Sequence, residues 1–220
     1  MIENYFEKGF TYNWNPPDKI TTDPMDGAIV RSGSSHPPPL TYTGLHAGIF
    51  DGAALPSTLG VTIGAVIRHR WLNYVHGRTA YVRSTNTDVL TGFMSGCWIC
   101  SWKGKSGNRR VGHIGTISAA AKNKPPNSTV KQAFTSSDAM RVGSHIRGYN
   151  PADAWNANEV LQVTNQTKIV TWAHIMSLVT TRNEFYSIIM METKTPGKWI
   201  CGGKKRVHGK DRGRIQTALA

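Results

Sequence analysis

From Gly60 onward the chain is a succession of short β-branched and aromatic runs interrupted by Gly and Asn: Val61 to Ile67, Thr79 to Val82, Phe93 to Trp102, Arg110 to Ile117, Lys168 to Val179 and Glu184 to Glu192. Runs of this length and composition, bounded by turn formers, read as strands and leave little room for long helices. One segment departs from the pattern. Asn150 followed by Pro151 and Ala152 to Val163 predicts a capped short helix with proline in its first turn. The expected class is therefore α+β, with a dominant, mostly antiparallel sheet.

The ends of the chain differ in texture. Residues 1–52 form an arm that from Asn13 onward is rich in Pro, Gly, Ser and Thr, with Pro16-Pro17 and Pro37-Pro38-Pro39, and is expected to be irregular and packed over the core or loose. Residues 53–194 hold the strand-rich domain. Residues 195–220 carry Lys198, Lys204, Lys205, Arg206, Lys210, Arg212 and Arg214 against Asp211 alone, and are expected to be a loose basic tail.

Charge is equally uneven. The formal net charge is +13, yet residues 1–50 carry five acids and three bases, a balance of −2 that leaves +15 on the remainder. Such a field favours acidic partners, whether protein, nucleic acid or anionic membrane, and does not specify a fold. No run of eighteen or more apolar residues occurs, so no membrane span is expected. Met1 to Phe10 contains Glu3, Glu7 and Lys8 where a conventional export signal needs a basic start and an apolar stretch. A soluble, monomeric protein is expected, either cytoplasmic or exported by a specialised route.

Three cysteines make a disulfide framework improbable in arithmetic terms and leave at least one free thiol. Cys97 lies in Phe93-Met94-Ser95-Gly96-Cys97-Trp98-Ile99-Cys100-Ser101-Trp102, and the polar connector Lys103 to Asn108 leads into Arg109-Arg110-Val111-Gly112-His113-Ile114-Gly115-Thr116. Two strand-like runs around a Gly-containing connector predict a hairpin. A turn centred on Lys105 sets Cys97 directly opposite His113, with Cβ atoms roughly 4.5–5.5 Å apart. A neutral imidazole there can take the thiol proton, giving a thiolate that attacks an amide carbon. Gly96 allows a substrate to approach the backbone, and nearby N–H groups can hold the oxyanion.

The motif Met94-Ser95-Gly96-Cys97, followed sixteen residues later by His113-Ile114-Gly115-Thr116, resembles the Leu-Ser-Gly-Cys and His-x-Gly-Thr pattern of the catalytic domain of cytotoxic necrotizing factors. More distantly it resembles the Burkholderia lethal factor and the chemotaxis receptor deamidases. The resemblance covers about 25 residues, Thr91 to Thr116. It implies a β-sandwich-like core with flanking helices, and a bacterial toxin or effector that deamidates a glutamine of a host protein. Delivery to the target cell's cytosol goes with that reading. It implies a Cys97–His113 pair without cofactor or metal, supported by Ser95 two places before the nucleophile. By its offset from the cysteine, Thr91 is similar to the lethal-factor position that orients the histidine through its backbone carbonyl. The chain departs from the pattern at Met94, where the factors have Leu, and at Trp98, where they have Thr, which bears on the substrate. A GTPase or a translation factor is the target class by analogy, and transfer to an amine instead of water gives transglutaminase activity.

A second reading competes. Cys97 and Cys100 form a C-x-x-C that Cys201 and His208 could complete as a zinc site in a basic nucleic-acid-binding module, with Trp199 beside Lys198 available to stack a base. It requires a knuckle turn, because an offset of three on a strand sends the two thiols to opposite faces. A nucleoside deaminase lacks its H-x-E here, a thioredoxin-type role lacks a βαβ unit, and neither a G-x-S-x-G elbow nor a phosphate loop is present. His36, His46, His69, His76, His145, His174 and His208 receive no catalytic role.

Overall fold

The computed structural model describes residues 2–18, 20, 25–32, 40–45, 49–50, 53–54, 65–66, 69–84, 86–116, 127–165 and 170–220. His36, His46 and most of the expected strand Val61 to Ile67 lie outside these. In chain order the strands are β1 (Phe10–Trp14), β2 (Ile29–Arg31), β3 (Leu40–Leu45), β4 (Ile49–Phe50), β5 (Ala53–Ala54), β6 (Ala65–Val66), β7 (Arg70–Trp71), β8 (Thr79–Arg83), β9 (Val89–Met94) and β10 (Trp98–Lys103). They continue with β11 (Arg109–Ile114), β12 (Ser144–Tyr149), β13 (Val170–Val179), β14 (Phe185–Thr193) and β15 (Lys198–Val207). The α-helices are α1 (Asn127–Thr135), α2 (Asp138–Arg141), α3 (Ala157–Asn165) and α4 (Arg212–Leu219).

Two sheets carry the fold. One has eight strands in the order β6-β3-β1-β15-β14-β13-β9-β7, the other five in the order β12-β10-β11-β8-β2. Only the β7–β9 and β2–β8 pairings in these sheets are parallel. The sheets face each other through a shared apolar layer: Leu72, Val89, Val179 and Phe185 on one side meet Val82, Ile99, Val111 and Tyr149 on the other. The Tyr149 hydroxyl, bonded to Ser177 Oγ and the Tyr186 carbonyl, ties the layers within this buried zone. On the outer face of the five-stranded sheet, Trp98, Cys100, Trp102 and Ile114 are covered by α1, α2 and α4. Helix α3 covers Ile189, Met191 and Ile200 on the larger sheet. The architecture is an α+β, mostly antiparallel β-sandwich-like core with flanking helices.

Four expectations change. The run Phe93 to Trp102 is two strands: it bends at Ser95-Gly96-Cys97, where the chain leaves the eight-stranded sheet and enters the five-stranded one. Apolar residues on both faces made the two strands read as one, whereas regular pairing lapses at Ser95-Gly96, a polar residue and a glycine between two apolar runs.

The second concerns the arm. Phe10-x-Tyr12-x-Trp14 alternates with period two, Tyr12 and Trp14 are buried, and β1 is hydrogen-bonded between β3 and β15. The third is the tail, which is not loose: β15 is an interior strand and α4 packs beneath the smaller sheet. Burying Trp199 and Ile200 contributes roughly 3–6 kcal/mol, while two nearby lysines are neutralised, Lys204 by Glu7 and Lys205 by Glu159. Burial therefore outweighs charge repulsion.

The expected helix also divides. Asn150 caps as anticipated, its side chain accepting from Ala152 N at 3.0 Å, but Pro151–Ala154 is a 3-10 turn. Asn156 then starts α3 anew through a reciprocal capping pair with Glu159, each bond 2.9 Å.

The integration of the C-terminal segment has a measurable consequence. Ile215 is fully buried in the layer under the five-stranded sheet, so Ile215→Ala is expected to cost about 2–5 kcal/mol in denaturant unfolding. A cost near zero would show a tail that does not share the core.

Candidate active site

The site lies where the chain crosses between sheets. The hairpin β10–β11 forms, with Ile99 paired to His113 and Trp98 to Ile114. Its register differs from a turn centred on Lys105 because the connector closes around Gly107. That residue has φ +74°, and its N–H bonds the Gly104 carbonyl at 2.8 Å, which moves the centre one residue along. Cys97 therefore does not sit directly opposite His113. A two-residue displacement preserves the face, however. Cys97, Ile99 and Val111 share the layer between the sheets, whereas Trp98, Cys100 and Trp102 face the helices.

His113 is held by a directed chain of hydrogen bonds. The Thr91 hydroxyl donates to the Leu72 carbonyl at 2.7 Å, and the same oxygen lies 2.8 Å from His113 Nδ1. A hydroxyl has one proton, and a carbonyl can only accept. Thr91 must then accept from His113, which fixes the ring with its proton on Nδ1 and its lone pair on Nε2. That Nε2 is buried and has no hydrogen-bond partner among the described residues. Burial also pushes the imidazole pKa from 6.5 down to about 3, keeping the ring neutral near physiological pH. In this closed arrangement the ring is held neutral with its lone pair on Nε2, and burial makes it a weak base until the site opens.

The sulfur of Cys97 sits against Thr116 at the far end of β11. The Thr116 hydroxyl donates to Sγ at 3.5 Å, and Sγ approaches the Thr116 carbonyl at 3.7 Å. The Tyr74 hydroxyl bonds that same carbonyl at 2.6 Å, and its ring lies 5.3 Å from that of His113. Tyr74 thus bridges the thiol's surroundings and the imidazole. Gly115 makes this possible: a Cβ there would come within 2.0 Å of the Val75 carbonyl. Only glycine lets the 74–78 segment close on the end of β11, where Gly77 N and Gly115 N form 2.9 Å bonds to the Gly115 and Arg78 carbonyls.

Of the residues singled out from sequence, Thr91 and His113 meet directly, while Cys97 lies in the layer between the sheets with its sulfur against Thr116. Thr91 acts through its side chain, not its backbone carbonyl. Ser95 is exposed and lines a neighbouring cleft of about 490 Å3 with Phe93, Met94, Trp155, Asn156 and His174. Met94 joins the two places, packing with Cys97 while lining the cleft. Tyr74 and Thr116 received no role from sequence. Thr116 closes the quoted motif, but Tyr74 arrives from a segment with no spacing relation to the hairpin.

The four residues of the zinc reading do not converge. Cys97 lies between the sheets, Cys100 under the helices and Cys201 on the outer face of the larger sheet. No grouping of three or more His, Cys, Asp or Glu fit for a metal ion occurs among the described residues. Burial raises the thiol pKa of both Cys100 and Cys201, the latter to about 12. No helix of the described residues is long and apolar enough to cross a membrane.

Comparisons of the chain with models of protein families, with curated proteins and with solved structures give no match. The resemblance over Thr91 to Thr116 thus stands on those residues alone.

Two outcomes follow from the Thr91–His113 contact. Thr91→Val leaves the Nδ1–H buried without an acceptor, an expected cost of about 1–3 kcal/mol in denaturant unfolding. The buried ring also sets a pH dependence. Its folded pKa lies below the unfolded value, so its contribution is complete above about pH 6.5 and is lost as pH falls toward about 3. The drop in Tm between about pH 7 and about pH 4 should be smaller in His113→Gln than in the wild type. Equal drops would show that His113 does not titrate differently in the folded chain.

Proposed function

We propose that the protein is a cysteine-dependent glutamine deamidase acting on an acidic target protein, with Cys97 as nucleophile and His113 as general base. The observation that carries this reading is the orientation of His113. An Nε2 lone pair without a partner among the described residues belongs to the face of β11 that also carries Val111, the face toward the layer that holds Cys97, and Nδ1–H is anchored through Thr91 to the Leu72 carbonyl. A buried imidazole with no use for its second nitrogen forgoes a hydrogen bond worth about 1 kcal/mol, an arrangement that suits a base awaiting a proton.

The chemistry would run as follows. The thiol turns from the Thr116 carbonyl toward Nε2 and yields its proton, and the sulfur attacks the glutamine side-chain carbon. The oxyanion so formed is held by N–H groups beside Gly96. Collapse breaks the carbon–nitrogen bond as His113 returns the proton, releasing ammonia and leaving a thioester. Water, deprotonated by His113, then cleaves the thioester to glutamate and free Cys97. The Thr116 hydroxyl, already donating to Sγ, stabilises the thiolate, and Tyr74 fixes the Thr116 carbonyl.

Cys97 is 3 % exposed and His113 0 %. A glutamine reaches them only when the segments around Tyr74 and Thr116 part, so turnover depends on an opening induced by the target. The strongly basic surface favours an acidic one.

Wild type and Cys97→Ser are incubated with a cell lysate, and peptides are searched by mass spectrometry for glutamine-to-glutamate conversion. Conversion is expected with wild type alone, with His113→Ala also inactive and Cys100→Ser close to wild type. Activity that survives Cys97→Ser but disappears in Cys100→Ser would reject this nucleophile.

A further inference from the structure

A second pocket, of about 450 Å3, opens at the end of the sandwich where the edge strand β12 meets the β13–β14 turn and the end of β15. Its polar lining is Arg147, Arg182, Asn183, Glu184, Arg206 and His208. Three stretches of chain converge here. The β14–β15 register sets Phe185 opposite Val207 and Tyr186 opposite Arg206, and a bridge joins Gly148 to Lys210. Gly209 permits the approach, since a Cβ there would lie 3.0 Å from the Phe185 ring and 3.1 Å from Arg147 Cβ.

The cations of this region fall into two groups. Lys204 binds Glu7 and the Glu3 carbonyl, and Lys205 binds Glu159 and the Ala154 carbonyl. Arg212 donates to the Gly143 and Arg141 carbonyls, and Lys210 lies 5.1 Å over the Trp98 ring. These four are committed to the fold. Of the pocket's own arginines, Arg147 is not. Arg147 is exposed and makes no hydrogen bond or ion pair among the described residues. Arg206 and Arg182 share one carboxylate, Glu184, at 2.9 and 3.5 Å, and Arg182 also reaches Glu3 at 3.3 Å.

Glu184 is the single acid in the lining and Glu3 stands behind Arg182, so three guanidiniums against two carboxylates leave an excess of +1, carried by Arg147 at an open rim. A guanidinium presents paired N–H donors that match a tetrahedral oxyanion. A phosphoryl group has oxygens enough to take paired donors from two guanidiniums at once, whereas the two oxygens of a lone carboxylate are filled by one. The volume is that of a small-ligand pocket and not of a groove tracking a polymer. We propose that this pocket binds the phosphoryl group of a small phosphorylated molecule, held by Arg147 and Arg206 and flanked by Arg182. The proposal is independent of the thiol chemistry.

The test titrates inorganic pyrophosphate into the full chain by calorimetry at fixed ionic strength. Saturable one-site binding is expected, weakened about tenfold or more in Arg147→Ala and Arg206→Ala, the loss of a charge-assisted hydrogen bond. Lys105→Ala, which removes an exposed charge elsewhere, should leave it unchanged. Arg147→Ala breaks no bond of the fold, so its melting temperature should match wild type and its affinity report the site directly. Absence of saturation would overturn the assignment, as would equal weakening by Arg147→Ala and Lys105→Ala. Binding of a single-stranded oligonucleotide that pyrophosphate cannot displace would overturn it too.

Discussion

Beside the Tyr149 contact, a hydrogen-bond chain crosses the interior of the sandwich: Leu72 carbonyl to Thr91 hydroxyl to His113 imidazole. Thr91 belongs to the eight-stranded sheet and His113 to the five-stranded one, so the contact joins the two layers that the hydrophobic effect merely presses together. Apolar packing is non-directional and tolerates sliding. A buried polar contact between fixed positions does not, because any displacement leaves a desolvated donor without an acceptor. The contact fixes the orientation of the imidazole and, with the closure of the 74–78 segment over Gly115, the composition of the space around Cys97.

The same layering separates the three thiols. Each cysteine is buried, yet they occupy three different apolar layers and meet three different sets of neighbours. Only Cys97 lies at a change of sheet, where the backbone bends and regular pairing lapses. A crossing of this kind lets a side chain stand beside the ends of two sheets at once, which is how Thr116, Tyr74 and Thr91 come to surround one small volume. The basic residues are sorted in a comparable way: β15 directs Lys204 and Lys205 into ion pairs across the larger sheet, while Arg206 is left at the rim beside Arg147 and Arg182.

Much of the scaffold was readable from residue pattern. Thr79 to Val82, Lys168 to Val179 and Glu184 to Glu192 correspond closely to β8, β13 and β14, because β-branched and aromatic runs between turn formers have few alternatives. The helix cap at Asn150 was readable for the same local reason. Harder to read were the strands of the arm and tail. Charge in Lys198 to Val207 and prolines near β1 obscured an underlying alternation, and a strand with paired neighbours on both sides tolerates a poor local signal. The register of the hairpin required the left-handed Gly107, one of two glycines in the connector with equal claim by sequence.

By itself, the sequence determined that the chain builds a sheet-rich α+β fold and that Cys97, although not opposite His113, shares the face of Ile99, the residue paired with it. Both follow from period-two alternation, whose parity survives a two-residue error in the turn. Tertiary structure alone decided that Thr91 supplies the acceptor for His113, that Tyr74 and Thr116 enclose the sulfur, and that Arg147, Arg182 and Arg206 share a pocket. These are meetings between strands distant along the chain, in sheets whose order does not follow sequence order. No local period encodes them, and only the packing of one sheet on the other brings them about.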